Sequence, residues 1–477
     1  MAVVDAVSAS TEAPSFNGIF PLPLTTFEHL MVVDATTDYP MVADLELHFQ
    51  GRIERPAFDR ALAFALERNP LFACLLVRDG EQGWNWIASE LSPRVDWATI
   101  DVPIAGGYGA QIDLTRELGL KLWVRCGAER STVLLHFHHA CADGVGAYAF
   151  IEDFLVGYNS STSGAAPVNA RPLEPARLKS RGAVPATGRS LMRRVFDPVL
   201  GAAVGLRFFA EAPLVLPGQV GPEDAAGQAV FLTRTCPREV VAALRRSATQ
   251  AGATCNDLLI RDLMVTLRRW HEAGGRTSRR RRLRILMPQN LRGPDDARMP
   301  ACNALSFAFI TRKIGECDAP DRLLASIARE TSKVRKGMLS AYFLGGVAAA
   351  LSLGILPWVL RQRICFSTAV LSNLGDSTRR FVARFPRRDG GLVVGNLTFL
   401  GVTGGPPLRA STRASLAVTF AGGSMTVCLK CDPLSYGPLD TQRLLDAYID
   451  QLRASAATVD EHAAGCAGIS PAASVSS

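Results

Sequence analysis

The sequence predicts a mixed α/β protein built from two similar halves. The chain has 477 residues, which is too long for one ordinary core and fits two domains or one large pair of similar lobes. Segments with strand-like and helix-like periodicity are mixed in both halves. The second half also begins as the first does, with a strand followed by an amphipathic helix. These three observations favour a two-lobed protein over a single sheet.

Composition indicates the boundaries of the two lobes. Residues 1–16 are small and polar and residues 461–477 are rich in alanine and serine, so both ends are predicted to be disordered. Between them we predict an N-terminal lobe at 17–185 and a C-terminal lobe at 229–460. The crossover linker between the lobes, 186–228, follows a stretch rich in Ser, Pro, Gly and Ala.

The first half contains a strand, a helix and a hairpin in that order. The alternating run VADLELHFQG at 42–51 predicts a half-buried strand. The next segment predicts a helix that has Pro56 in its first turn and ends before Pro70. Two apolar runs, 120–127 and 131–140, flank a turn and predict a β-hairpin. Helical spacing then resumes, so the end of the second hairpin strand meets the start of a helix.

The second half shows the same mixture of strands and helices. Its periodicity predicts a strand at 230–237, two helices within 238–275, strands at 283–293 and 301–313, a helix at 318–339, strands at 365–375 and 390–401, a hairpin at 414–433 and a closing helix at 441–455.

Charge and cysteine content restrict the partners and the compartment. The net charge is +8, but the basic run at 279–284 leads directly into an apolar strand and has no interleaved aromatic residues, so no nucleic-acid partner is predicted. The eleven cysteines are scattered and no secretory signal is evident, which predicts a reduced, cytoplasmic location. Cys428 and Cys431 should face opposite sides of a strand, as ordinary thiols and not as metal ligands.

One apolar segment, 339–360, is long enough to cross a bilayer of about 30 Å. It also contains serines, glycines and Pro357, so we favour a buried or interfacial helix pair. Residues 195–216 have a similar composition. Peripheral membrane contact through these segments remains an alternative to lobe packing.

Three of the seven histidines fall between residues 136 and 139. On a strand, His136 and His138 face one side and His139 faces the other, so the three cannot bind one metal ion together. A metal-dependent hydrolase that uses the first two, and a purely structural role for all three, are the alternatives. We favour a third interpretation, in which His139 acts as a general base, because imidazole titrates near neutral pH.

The run HHACADG, from His138 to Gly144, resembles the HHxxxDG signature of the chloramphenicol-acetyltransferase-like superfamily. This superfamily includes condensation domains of nonribosomal peptide synthetases, plant acyltransferases, polyketide-associated acyltransferases and wax ester synthase/diacylglycerol acyltransferases. The resemblance covers about residues 20–455 and is nearest to the last two branches. It includes RNPL at 68–71, and the Cys302-Asn303 pair stands where the wax ester synthase branch has Gly-Asn.

Two further segments show the resemblance and one departs from it. The helix that opens with Asn256-Asp257 and the segment that ends in Arg292 are similar to family segments. SNLGD at 372–376 resembles SNVPGP of the wax ester synthase branch but lacks its prolines. The chain also has no DFGWG element of the plant branch.

The resemblance implies a monomer of two similar lobes, each a mixed β-sheet flanked by helices, with an active-site tunnel between them. It implies transfer of an acyl group from a thioester of coenzyme A or of an acyl carrier protein, with an alcohol acceptor favoured over an amine. No metal and no cofactor beyond the thioester are expected. A non-catalytic binding protein with the same fold is the alternative.

The resemblance also assigns roles to seven residues. His139 would deprotonate the acceptor, and Gly144 would leave room at the reacting centre. His138 and Asp143 would be structural, with Asp143 directed away from the tunnel toward Arg292. Ser372 and Asn373 would line the tunnel and stabilise the oxyanion.

Overall fold

The computed structural model describes residues 16, 18–80, 83–183, 203, 205–218, 231–275, 278–335, 340–362, 364–376, 379–381 and 383–467. The predictions for the N-terminal segment, for most of the linker and for the last ten residues fall outside these ranges, as does much of the apolar segment 195–216.

The first of two large sheets has seven strands. They are β2 (Val42–Gln50), β5 (Arg94–Thr99), β6 (Leu120–Cys126), β7 (Arg130–His138), β12 (Arg387–Arg388), β13 (Gly391–Val394) and β14 (Leu397–Gly405). Their order is β12-β13-β14-β2-β7-β6-β5, and only β5 and β6 are parallel. A three-stranded sheet lies beside it, formed by β1 (Leu22–Pro23), β3 (Cys74–Asp79) and β4 (Gly83–Ala88).

Three α-helices accompany these sheets: α1 (Thr26–Asp34), α2 (Arg55–Arg68) and α3 (Gly144–Ser160). Local sequence explains their ends. Pro56 occupies the first turn of α2, where a missing N–H costs nothing. Asp143 caps α3, because its side chain accepts a hydrogen bond from the backbone N–H of Gly146. A 3₁₀ turn, Pro70–Ala73, leads from α2 into β3.

The second large sheet has six strands in the order β10-β9-β11-β15-β16-β8, where β11 is parallel to both neighbours and the other pairs are antiparallel. The strands are β8 (Phe231–Cys236), β9 (Arg282–Asn290), β10 (Leu305–Lys313), β11 (Ala369–Asp376), β15 (Ala414–Ala421) and β16 (Ser424–Cys431). The helices are α4 (Arg238–Gln250), α5 (Cys255–Ala273), α6 (Pro320–Arg335), α7 (Ser340–Ser352), α8 (Leu356–Arg361) and α9 (Pro438–Ala467). The last helix continues past residue 460, where the sequence predicted the tail to begin.

Each large sheet has its own hydrophobic core. The predicted fold class, two lobes that each contain a mixed sheet flanked by helices, is therefore confirmed. The predicted break between α4 and α5 is also present. Thr254 is the N-cap of α5 and forms a reciprocal capping box with Asp257.

The lobes are not separate in sequence. Strand β14 pairs antiparallel with β2, from Thr398 opposite Gln50 to Gly405 opposite Asp44. At Gly404 the φ angle is +136°, and a Cβ there would collide with the Asp44 carbonyl oxygen, so this close pairing needs glycine. The predicted C-terminal lobe, residues 229–460, thus supplies three strands to the first sheet.

The described residues of the apolar segment 339–360 form the predicted helix pair. Helix α7 packs on β10 and α1, and α8 follows after a break at residues 353–355. Within the described ranges no helix is both long enough and apolar enough to span a membrane. The break explains this finding, because it divides the apolar run into two short helices.

Candidate active site

His139 lies directly after β7, which ends at His138, two residues before the end of the predicted strand. Its backbone N–H donates to the Met41 carbonyl at 2.7 Å, and its ring centroid lies 6.0 Å from that of Phe27 in α1. The residue is half-buried. The structure therefore gives His139 a fixed backbone in a residue that is only partly exposed.

Asn303, in the segment before β10, holds the same turn from the other side. Its side-chain amide donates to the carbonyl oxygens of His139, at 2.8 Å, and of Ala140, at 2.7 Å. Asn303 is buried. The sequence did not predict a role for it, and the only signal was its place in the Cys302-Asn303 pair. The imidazole is thus positioned by residues far apart in the chain.

The electrostatic environment keeps His139 neutral at neutral pH. Burial lowers the pKa of His139 and outweighs the opposing effects of its own backbone carbonyl, of Asp143 and of Asn303. Its Nδ1 is buried, and no described residue forms a hydrogen bond with it. The Oδ1 atom of Asn303 is likewise buried without a partner among the described residues. A neutral ring can accept a proton, as a general base must.

His138 is in a different state. Burial, followed by the charges of His139 and His136, lowers the pKa of His138 to about 3. Its Nδ1 accepts a hydrogen bond from the Ala140 N–H at 3.1 Å. This ring is therefore neutral, buried and engaged in the turn after β7, which is suited to holding the turn in place.

His136 belongs to a buried polar cluster between the two sheets. Its Nδ1 lies 2.7 Å from Asp44 Oδ1 and its Nε2 lies 2.8 Å from the Ala110 carbonyl oxygen. The other Asp44 oxygen lies 3.0 Å from the ammonium group of Lys430 in β16. Both ring nitrogens of His136 are therefore occupied. In the part of the chain that the structure describes, no group of three His, Cys, Asp or Glu side chains is placed to hold a metal.

The carboxylate of Asp143 contacts three donors. Its Oδ1 accepts from the N–H of Gly146 at 2.8 Å. Its Oδ2 accepts from Arg292 Nη1 at 2.8 Å and from the N–H of Ala304 at 2.9 Å. Burial acts to raise the pKa of Asp143, but the Arg292 charge and these hydrogen bonds outweigh it, so the pKa lies below its ordinary value. Asp143 and Arg292 are thus in direct contact, as an ion pair.

Arg292 also extends to the segment that carries Asn303. Its Nη2 donates to the Cys302 carbonyl oxygen at 2.9 Å, and the same oxygen accepts from the Asp143 N–H at 3.2 Å. Asp143, at the start of α3, therefore forms an ion pair with Arg292, and both residues donate to the carbonyl oxygen of Cys302 in the segment before β10.

The space beside Gly144 is filled by a side chain. A Cβ at Gly144 would lie 2.5 Å from Leu374 Cδ2, so the glycine allows β11 to approach α3. The resemblance assigned this space to the reacting centre, and that role stays a prediction. Gly146, which the sequence did not single out, lies against the backbone of Cys302. A Cβ there would lie 2.6 Å from the Cys302 carbonyl oxygen.

Gly146→Ala is expected to lower the free energy of unfolding by about 1–3 kcal/mol, the usual cost of overpacking. The reason is that the new methyl group meets rigid backbone. Chemical denaturation of both proteins measures the difference. Gly345→Ala is the matched control, because Gly345 is helical and exposed with nothing within 4 Å of its Cβ position. It should be neutral or stabilising by up to about 1 kcal/mol, and an equal loss in both variants would contradict the packing argument.

Ser372 and Asn373 face opposite sides of β11. Leu371 packs in the core of the second lobe, so Asn373, two residues along the strand, faces the same way. Its amide nitrogen lies 3.3 Å from Asn256 Oδ1 in α5. Ser372 faces the other side and is buried, and no described residue forms a hydrogen bond with its hydroxyl. The pair therefore does not act from one surface.

A cavity of about 330 Å³ lies between α5 and α9. It is lined by Thr266, Arg269, Trp270, Ala273, Ala447, Asp450 and Gln451. None of these is a predicted site residue, so this cavity is not the predicted tunnel, which stays a prediction.

Comparison with solved structures gives the same architecture. The chain is similar to TRI3 trichothecene 15-O-acetyltransferase from Fusarium sporotrichioides, with a TM-score of 0.66, 9% identity and coverage of 91% of this chain and 95% of that one. It is similar to a mutant starter condensation domain of rhizomide synthetase, solved with C8-CoA and Leu-SNAC, with a TM-score of 0.61, 13% identity and coverage of 91% and 94%. For polyketide synthase associated protein 5 from Mycobacterium tuberculosis, the TM-score is 0.57 with 15% identity and coverage of 91% and 98%.

The chain thus has the two-lobed fold of these condensation domains and acyltransferases, which is the fold that the sequence resemblance predicted. No protein-family model matches the chain, and no curated protein matches it by sequence. At these identities the likeness establishes the fold, and function has to be argued from the site.

Proposed function

We propose that this protein is an acyltransferase that moves an acyl group from a thioester to an alcohol, with His139 as general base. The single observation that carries the proposal is the state of His139. It is a neutral imidazole, half-buried at the end of β7, fixed by Met41 on one side and by Asn303 on the other. A ring held in this way can accept and return a proton without moving its backbone.

The proton positions follow from the surroundings of the ring. Nδ1 is buried and so cannot take a proton from a bound substrate, and the proton of the neutral ring is assigned to it. Nε2 then carries the free electron pair. It takes the proton of the acceptor hydroxyl while that oxygen attacks the thioester carbonyl. When the tetrahedral intermediate collapses, the C–S bond breaks and Nε2 returns the proton to the leaving thiolate.

Ser372 is the better candidate of the two for stabilising the oxyanion. Its hydroxyl is a donor with no partner among the described residues, and it lies on the face of β11 that points away from the second core. The Asn373 amide instead contacts Asn256. A single donor of this kind contributes about 100- to 1,000-fold to kcat in enzymes where it has been removed.

The comparisons support a thioester donor in general terms. The rhizomide synthetase domain was solved with C8-CoA and Leu-SNAC, and TRI3 is named as an O-acetyltransferase. Both an acyl-coenzyme A and an acyl carrier protein fit this chemistry. The site argues against the hydrolase alternative, because the ring nitrogens of His136 already contact Asp44 and Ala110.

A thiol-release screen tests the proposal. Purified protein is mixed with acyl-coenzyme A thioesters of increasing chain length, with and without a panel of alcohols and amines, and the free thiol is measured. We expect alcohol-dependent release that His139→Ala abolishes. A reaction without substrate corrects for the chain's own thiols, of which Cys126 and Cys255 are half-buried. Binding of thioesters without any release would support the non-catalytic alternative, and release that survives His139→Ala would exclude His139 as the base.

A further inference from the structure

The loop after β11 brings a second arginine to the start of α3. Leu374 contacts the Cβ position of Gly144, as described above. In the next residue, Gly375, φ is +74° and a Cβ would lie 3.0 Å from both Nε and Nη2 of Arg380. The guanidinium group of Arg380 therefore lies against the same end of β11 that touches the first turn of α3.

Arg380 also contacts Tyr148, one helical turn after Gly144. Its Cζ atom lies 5.7 Å from the centroid of the Tyr148 ring. Tyr148 is 2% exposed, and within the described residues its hydroxyl has no hydrogen-bond partner. A buried hydroxyl without a partner is costly, which makes it a group that a ligand can satisfy.

Arg380 differs from the two nearby arginines in its ion pairing. Arg379 pairs with Asp376 at 3.3 Å and Arg292 pairs with Asp143 at 2.8 Å, whereas no carboxylate among the described residues forms an ion pair with Arg380. Arg380 is also exposed. The region thus combines an exposed arginine, with which no described carboxylate forms an ion pair, and a buried hydroxyl. The two nearby carboxylates, Asp376 and Asp143, already pair with other arginines.

We propose that Arg380 and the Tyr148 hydroxyl form a binding subsite for an oxyanion of a substrate, next to the candidate active site. A guanidinium group and a hydroxyl both donate hydrogen bonds, which is the chemistry that binds phosphate or carboxylate. The assignment of this anion to a substrate rests on the proposed acyl transfer. Two sources have this chemistry: a phosphate of the coenzyme A or phosphopantetheine donor, and a carboxylate on the acceptor.

Matched pairs of substrates separate the two sources. One pair is an acyl-coenzyme A and the corresponding acyl-N-acetylcysteamine, which has no phosphate. The other is a hydroxy acid and its methyl ester. A hydrogen-bonded charge of this kind changes affinity by about 10- to 100-fold. In one of the two pairs, Arg380→Ala should therefore raise KM for the charged substrate about 10- to 100-fold relative to its effect on the neutral substrate. Arg380→Lys should recover part of the loss, and Tyr148→Phe should reproduce a smaller part of it.

Arg379→Ala is the matched control, because Arg379 is the adjacent arginine, is exposed and is already paired with Asp376. It should leave both ratios unchanged. A larger KM effect on the coenzyme A thioester identifies the donor phosphate, and a larger effect on the hydroxy acid identifies the acceptor carboxylate. Equal effects on charged and neutral members of both pairs, or no effect on either pair, would overturn the subsite.

Equilibrium binding separates this proposal from the proposed function. The affinities for coenzyme A and for the hydroxy acid are measured by calorimetry in the wild type and in Arg380→Ala, without any turnover. If neither thiol release nor Arg380-dependent binding of either probe is found, both proposals fail. If Arg380-dependent binding is found without turnover, the anion site stands, and the acyl transfer fails together with the assignment of the anion to a substrate. If turnover depends on His139 but not on Arg380 in any arm, only the subsite fails.

Discussion

His139→Ala is expected to lower kcat/KM by about 100- to 10,000-fold, the usual contribution of a positioned general base, with little change in thermal stability. Stability should be retained because Nδ1 has no hydrogen bond to a described residue that could be lost, and because the backbone contacts with Met41 and Asn303 remain. Thiol release measures the first quantity and thermal unfolding followed by circular dichroism measures the second. A variant that unfolds early would make His139 a structural residue, contrary to the proposal.

The pH dependence of the same reaction gives an independent check. Only the neutral imidazole is a base, so kcat/KM should fall as pH drops through the pKa of His139. Since burial lowers this pKa from its ordinary value of 6.5, the loss should begin on the acid side of that value. A fall in kcat/KM with a midpoint at or above this ordinary value would contradict the buried, neutral ring.

Arg292→Met is expected to lower the free energy of unfolding by about 3–5 kcal/mol, because it leaves a buried carboxylate without its counter-charge. The affected group is Asp143, which would keep only the N–H groups of Gly146 and Ala304. Urea denaturation measures the change. Combining it with Asp143→Asn should restore part of the stability, because the uncompensated charge is then removed.

Arg298→Met is the matched control for this arginine. Arg298 is on the surface and pairs with Glu174 at 2.9 Å, with side-chain exposures of 58% and 38%. Exposed pairs contribute about 0–1 kcal/mol. If the two variants lose similar amounts, the Asp143–Arg292 pair is not the buried support described here.

Acid should reduce the difference between wild type and Arg292→Met. The pKa of Asp143 is lowered in the folded protein, so the ion pair contributes stability above the unfolded-state pKa of about 3.9. That contribution is lost as pH falls through the folded-state value. Denaturation repeated at decreasing pH follows this loss.

Local structure could be predicted because its causes are local. Alternating apolar residues predicted the hairpin that carries the histidines. Pro56 predicted the start of α2, and Asn69-Pro70 predicted its end. The break within the apolar segment 339–360 followed from its own glycines and proline. Each of these features depends on residues a few positions apart, which a single sequence displays directly.

The assignment of strands to sheets could not be predicted in the same way. The run at 390–401 was predicted as one strand, whereas it forms β13 and the first part of β14. Nothing in its alternation shows that β14 pairs with β2 and not with β15. The facing of Asn373 was missed for a related reason. Periodicity shows that neighbours alternate, but only the fold shows which side of β11 meets the other lobe.

The candidate site was predicted in part. The contact between Asp143 and Arg292 was expected from the resemblance, and the structure shows the two side chains as an ion pair. The contribution of Asn303 was not predicted, because it depends on a segment far along the chain meeting the turn after β7. Catalytic roles for His139 and Ser372 stay predictions that the experiments above can decide.

The pairing of β14 with β2 has a consequence for synthesis on the ribosome. Strand β2 emerges early, but the partner for one of its edges is not made until residue 405 has been added. Through that interval the nascent first sheet has an open backbone edge, the kind of surface that pairs with strands of other chains. The first lobe is therefore completed only after β8 to β11 of the second sheet have been made.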